Sequence, residues 1–231
     1  MKSDFEARRK RGYLTLEEAA AFAPASTEEW INLLNAPDAC TRTAAAKHLP
    51  AKDPACARAL LQRLQIEKCL YTRLAICESL QQGDVQAARL TADRLGTIGN
   101  NQYRQPPARP SAKRSYPLPR DIAARVMGKM EPSVFPVLAN ILQSGDEVKL
   151  SEALDAAGFM AFYHPVLRTC ENAGLVVRLA RQYQKQPLLL WKAALCLSAF
   201  PSEGSRRELL CLRQRDDVIG AEAARSLSFF S

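Results

Sequence analysis

Residues 35–49 read NAPDACTRTAAAKHL, and this stretch decides the fold. Pro37 and Asp38 mark a turn and a helix start, because proline cannot continue a helix and an aspartate side chain accepts from the first free backbone N–H groups. A helix then carries Arg42, Ala44, Ala45 and Leu49. The same order of a basic residue and an apolar residue seven places later returns along the chain. Arg42 pairs in this way with Leu49, Arg73 with Leu80, Arg120 with Met127, Lys149 with Ala156 and Lys192 with Ala199. Gly220 and Leu227 continue the series with the basic residue lost. Small or apolar residues follow each start by two or three places, except at Lys149, where Ala153 comes one place late.

The intervals are 31, 47, 29, 43 and 28 residues. Three lie near 30, the length of two helices with short turns, and the other two contain insertions. Each repeat helix has an apolar-striped segment before it. These segments are Thr27–Asn35, opened by Ser26 three residues ahead of Glu29 as in a capping box, Pro54–Ile66, Val85–Leu95, Ser133–Leu142, Leu175–Tyr183 and Ser205–Arg213. Pro132, Pro187 and Pro201 stand near the turns. One hairpin cannot bury its apolar face alone, whereas stacked neighbours can. The expectation is an all-α chain, an α-α superhelix of about six helical hairpins over 26–231, after a basic tail and short helix in 1–25.

The unit P-D-x-x-x-R-x-A-A-x-x-x-L, carried by Asp38, Arg42, Ala44, Ala45 and Leu49, resembles the HEAT repeats of the phycobilisome-lyase-like class, an armadillo-like solenoid type. The resemblance covers most of 26–231 as a pattern, and the first unit matches closely. It implies a ladder in which turn acids meet helix bases of neighbouring repeats, with Asp38/Arg42 and Asp146/Lys149 as its instances here. It implies no chromophore chemistry, because a fold does not fix a function.

Composition agrees. The 231 residues include 47% hydrophobic and only 7% aromatic side chains, with ten glycines, a bias towards helix. There are seven cysteines, an odd number with no CxxC spacing, and most of them read as buried thiols in a reducing cytoplasm. No run reaches the roughly 18 apolar residues of a membrane span. Neither His48 nor His164 has a cysteine or acid at ligand spacing. No metal, small-molecule cofactor or catalytic series is indicated.

The net charge of +8 is unevenly placed. Residues 1–12 carry five basic residues against two acids. Residues 97–120 carry Arg104, Arg109, Lys113, Arg114 and Arg120 with no acid, and the remainder is neutral. The segment 97–119, TIGNNQYRQPPARPSAKRSYPLP, interrupts the third repeat with five prolines and reads as a long loop, ordered or disordered. Arg104, Pro107 and Pro110 form an R-x-x-P-x-x-P pattern of the kind that polyproline-reading domains take. Tyr103 and Tyr116 flank the basic cluster and either stack on bases or pin the loop.

The leading expectation is a non-catalytic interaction scaffold that binds a protein or peptide along the concave row of second helices. That row holds Arg42, Arg73, Arg120, Arg125 and Lys192, next to the loop residues Arg104, Arg109, Lys113 and Arg114. The first alternative is nucleic-acid binding through the basic tail and the 97–120 loop. The second is an alkyl-purine DNA glycosylase of HEAT-like type, whose site needs tryptophan and aspartate. Trp30 is expected to face the core, and Trp191 has no acid close in sequence.

Overall fold

The computed structural model describes residues 4–22 and 26–230. Helices make up its regular structure, and no strand occurs among the described residues. The chain divides into two compact units, 1–91 and 92–231.

The first unit holds α1 (Phe5–Arg9), α2 (Leu16–Ala20), α3 (Thr27–Leu33), α4 (Ala39–His48), α5 (Pro54–Ile66), α6 (Leu70–Gln81) and most of α7 (Val85–Ala92). Helices α3 and α5 pack on α4 and α6 respectively, while α4 and α6 lie against each other. Side chains stop the backbone N–H groups at the helix starts from going unpaired. Ser26 caps α3, Asp38 caps α4 and Asp53 caps α5, which also begins with Pro54. The core is aliphatic and small: Ala44, Ala45, Leu60, Leu64, Ile76 and Leu80 are fully buried. Burying a leucine-sized side chain contributes about 1.5–3 kcal/mol. Alanines on α4 let α6 approach closely.

The described part of the N-terminal segment is folded against this unit. Leu14 and Ala19 pack with Cys40 and Ala44, and Trp30 lies beside them, stacked on His48 with ring centroids 4.2 Å apart. Arg11 accepts a backbone hydrogen bond from Tyr71 through its carbonyl. Lys2 lies outside the described residues.

The second unit holds α8 (Ile122–Met127), α9 (Phe135–Ile141), α10 (Glu147–Tyr163), α11 (Cys170–Gln182), α12 (Pro187–Leu197), α13 (Glu203–Leu212) and α14 (Val218–Leu227), with 3-10 turns at Pro132–Val134 and Pro165–Leu167. Hairpins α9/α10, α11/α12 and α13/α14 each pack as a pair, and α8, α10, α12 and α14 form a row of consecutive neighbours. The 43-residue repeat interval is explained by α10, which runs for 17 residues before its 3-10 turn. The missing base at Gly220 also has a cause. A side chain there would run into the Arg215 carbonyl of the preceding turn.

Two members of the basic row are internal and the turn acids pair differently from the expected ladder, whereas Arg73 and Arg125 are half-buried and Arg120 is exposed. Asp38 and Asp146 cap their own helices through Thr41 N–H and Lys149 N–H. Arg42, 7% exposed, grips Glu67 through Nε at 2.8 Å and Nη2 at 3.2 Å, and donates to the Ala36 and Pro37 carbonyls. Arg73 donates to the Glu67 carbonyl, and Lys149 meets Asp93 at 3.2 Å. Arg125 donates to the Pro119 carbonyl. Lys192 is fully buried between two carboxylates. Arg42 and Lys192 therefore hold the fold and are not available to a partner.

Candidate binding groove

The long proline-rich segment is an ordered strap laid on the second helices of its own unit. Gly96 and Gly99 turn it with positive φ, 73° and 75°, where a side chain would be strained. The Asp121 carboxylate, buried at the start of α8, fixes the beginning of the strap. It accepts from Gly96 N–H and from Gln102 Nε2 at 2.8 Å, and it caps α8 through Ala124 N–H. Tyr103 sets its edge against Trp191 on α12, with centroids 5.0 Å apart, and carries the Arg120 guanidinium over its face at 4.4 Å. Arg120 also donates to Asn101 at 2.8 Å, which ties one end of the strap to the other.

The far end is held as firmly. Tyr116 is 3% exposed and packs among Phe159 and Phe162 of α10. Burial pushes its phenol well above the ordinary range. Arg225 of α14 donates to the Lys113 and Ser115 carbonyls and pairs with Glu222 at 3.0 Å. Both tyrosines therefore pin the loop, and Pro107 lines a cavity beside Trp191 instead of standing free as a polyproline ligand.

Between strap and helices lie two adjoining cavities that share Tyr103. The larger, about 560 Å³, is lined by Gly96, Arg104, Glu147, Val148, Glu152 and Leu188 among others. The smaller, about 270 Å³, is lined by Arg109, Arg120, Asp155, Trp191, Leu195 and Glu222 among others. Beneath them, Lys192 Nζ sits 2.9 Å from both Glu152 Oε1 and Asp155 Oδ2. Burial disfavours the ammonium, but Asp155 and Glu152 outweigh it and raise the lysine further. Burial also raises Glu152 and Asp155, by more than Lys192 lowers them. Glu222, raised by burial, accepts from Trp191 Nε1 at 3.3 Å. Acids whose affinity for protons is shifted in this way, gathered under a cleft, mark a candidate site.

No family model matches the chain, and no curated protein matches its sequence. Two solved structures of engineered proteins resemble it at 16% identity and a TM-score of 0.42. One covers 90% of this chain and 99% of its own, and the other 88% and 96%.

Of the residues singled out from sequence, the structure brings Arg104, Arg109 and Arg120 to the groove. Lys113 and Arg114 line a separate cavity with Ser111, Arg225, Ser228 and Phe229. Arg42 and Arg73 belong to the first unit. Trp191 does have acids beside it, Glu222 and Asp155, which sequence distance concealed. Helical spacing placed Glu152 and Asp155 on α10 three residues apart, and only the repeat register relative to Lys192 could have paired them. Among the described residues, no helix is long and apolar enough to cross a membrane.

Proposed function

We propose that this protein is a non-catalytic binding module, a HEAT-like α-α superhelix, that holds a peptide segment of a partner protein in the groove between the 96–120 strap and helices α10, α12 and α14. The observation that carries this reading is the pair of adjoining cavities meeting at Tyr103. Their walls are aromatic and aliphatic with a few placed charges, which suits an extended ligand. Seven free thiols suit a reducing, cytoplasmic setting.

A random peptide library displayed against the full chain tests the proposal. Selected peptides should bind the native protein and lose at least about tenfold in affinity to Val148→Trp, which fills the larger cavity from an exposed position. Peptides that bind the variant equally well, or a library that yields none, would count against it.

A second reading, nucleic-acid binding, draws on the exposed Arg104, Arg109, Lys113 and Arg114 and on the cationic cavity near Phe229. It requires affinity for single-stranded RNA or DNA that falls steeply with salt and is lost when these four are replaced by serine. Carboxylates under the groove itself disfavour phosphate there. The acids beside Trp191 make a glycosylase assay on methylated DNA the matching check for base chemistry.

A further inference from the structure

We propose that the larger cavity is an anchor pocket for one positively charged side chain, an arginine or lysine, of the bound peptide. This rests on the peptide-binding reading and names the chemistry of its central contact.

Glu152 is only 3% exposed, and it lines this cavity. Its Oε1 accepts from Lys192 Nζ and from Ser151 Oγ at 3.2 Å, whereas its Oε2 has no hydrogen-bond partner among the described residues. A buried carboxylate oxygen without a donor costs free energy that an incoming N–H group recovers. The surrounding charge has the same sign. Lys192 is shared between Glu152 and Asp155, so the trio carries a net negative charge when both acids are ionised. Asp121 adds another through the neighbouring turn, its oxygens held only by neutral donors. Glu147 stands at the rim, accepting from Gln186 at 2.6 Å.

The walls suit a long aliphatic stem with a cationic end. Val148, Leu188, Leu189 and Tyr103 supply apolar surface. Gly96 brings the strap backbone close without a side chain. A Cβ there would sit 2.6 Å from Val148 Cγ1 and 3.9 Å from Glu152 Cγ, crowding the entrance. Arg104, also at the cavity, opposes a second positive charge. The pocket thus selects an isolated basic residue over a polybasic tract, and it rejects phosphate.

Binding has a proton linkage. Glu152 faces Lys192 on α12, Asp155, Ser151 and Glu147 on α10, Asp121 before α8 and Arg104 on the strap. Burial leaves it easier to protonate than an ordinary glutamate. A cation favours the ionised form, so affinity should rise with pH through the raised Glu152 titration and level off above it.

The test is a titration of the isotope-labelled full chain with N-acetyl-arginine amide, N-acetyl-lysine amide and the neutral N-acetyl-citrulline amide, followed by NMR. The two charged probes should shift signals of 96–104, 147–152 and 186–189, with citrulline at least about tenfold weaker. Glu152→Gln should lower arginine affinity about tenfold, and the exposed Glu147→Gln about threefold. If Glu152→Gln does not fold, Glu147→Gln and the pH series on the native chain decide. Equal binding of citrulline and arginine, or unchanged affinity in Glu147→Gln together with no pH dependence, overturns the pocket assignment. Groove-binding peptides with no basic residue at the pocket overturn it while leaving peptide binding in place. A library that yields no peptide overturns the reading beneath it.

Discussion

Tyr116 occupies the space that a side chain at Gly158 would need. A Cβ on Gly158 would overlap the Tyr116 hydroxyl, and its ring atoms lie 2.5 and 3.0 Å away. The strap therefore depends on a missing methyl group in the middle of α10. Gly158→Ala should destabilise the second unit by about 1–3 kcal/mol, although alanine alone would favour the helix by about 1 kcal/mol. It should also free the strap, and limited proteolysis should then cut near Arg109–Arg114. Combined with Tyr116→Ala, the loss should be less than the sum of the two single changes.

Lys192 is among the largest fully buried side chains, and its charge is held by two acids. Lys192→Met leaves both carboxylates buried without a counter-charge. Removing one partner of a buried ion pair costs about 3–5 kcal/mol. Urea unfolding followed through the neighbouring Trp191 should show that loss. Adding Glu152→Gln and Asp155→Asn should recover a large part of it, because the penalty comes from stranded charge and not from lost volume.

Acid should reach the first unit through Glu67. Burial alone would raise this carboxyl, but the Arg42 guanidinium, the Cys69 N–H and Arg63 outweigh it and hold it down to about 2. Its folded value lies below its unfolded value of 4.5. The contribution to stability is therefore complete above pH 4.5 and is lost as pH falls from there towards 2. Arg42→Ala should flatten this part of the stability curve and cost about 3–5 kcal/mol at neutral pH. Circular dichroism during acid titration of both proteins would show the difference.

Helix positions were largely legible in the sequence. Pro54–Ile66 has the extent expected, and the remaining first helices differ from the reading by a few residues, because caps and apolar spacing are local signals. The site was legible in part. The Pro/Arg-rich break at 97–119 stood out by composition, but nothing local said that it would lie down on α10, α12 and α14. That depends on Gly158, on Arg225 and on a hydrophobic seat for Tyr116, all distant in sequence. The basic row misled for the same reason. A base every 30 residues or so looks alike whether it faces a partner or a buried acid; Glu67 and Asp155 sit outside the repeat signature, and Glu152 stands three places after Lys149, where the signature has a small or apolar residue.

The measurement that bears most directly on the groove is hydrogen exchange of the full chain with and without a library-selected peptide. Slowed exchange is expected in 96–104, the first turns of α10 and α12 and the strap around Tyr116, with the first unit unchanged. Protection confined to the first unit, or to the outer strap residues 112–114 alone, would contradict it.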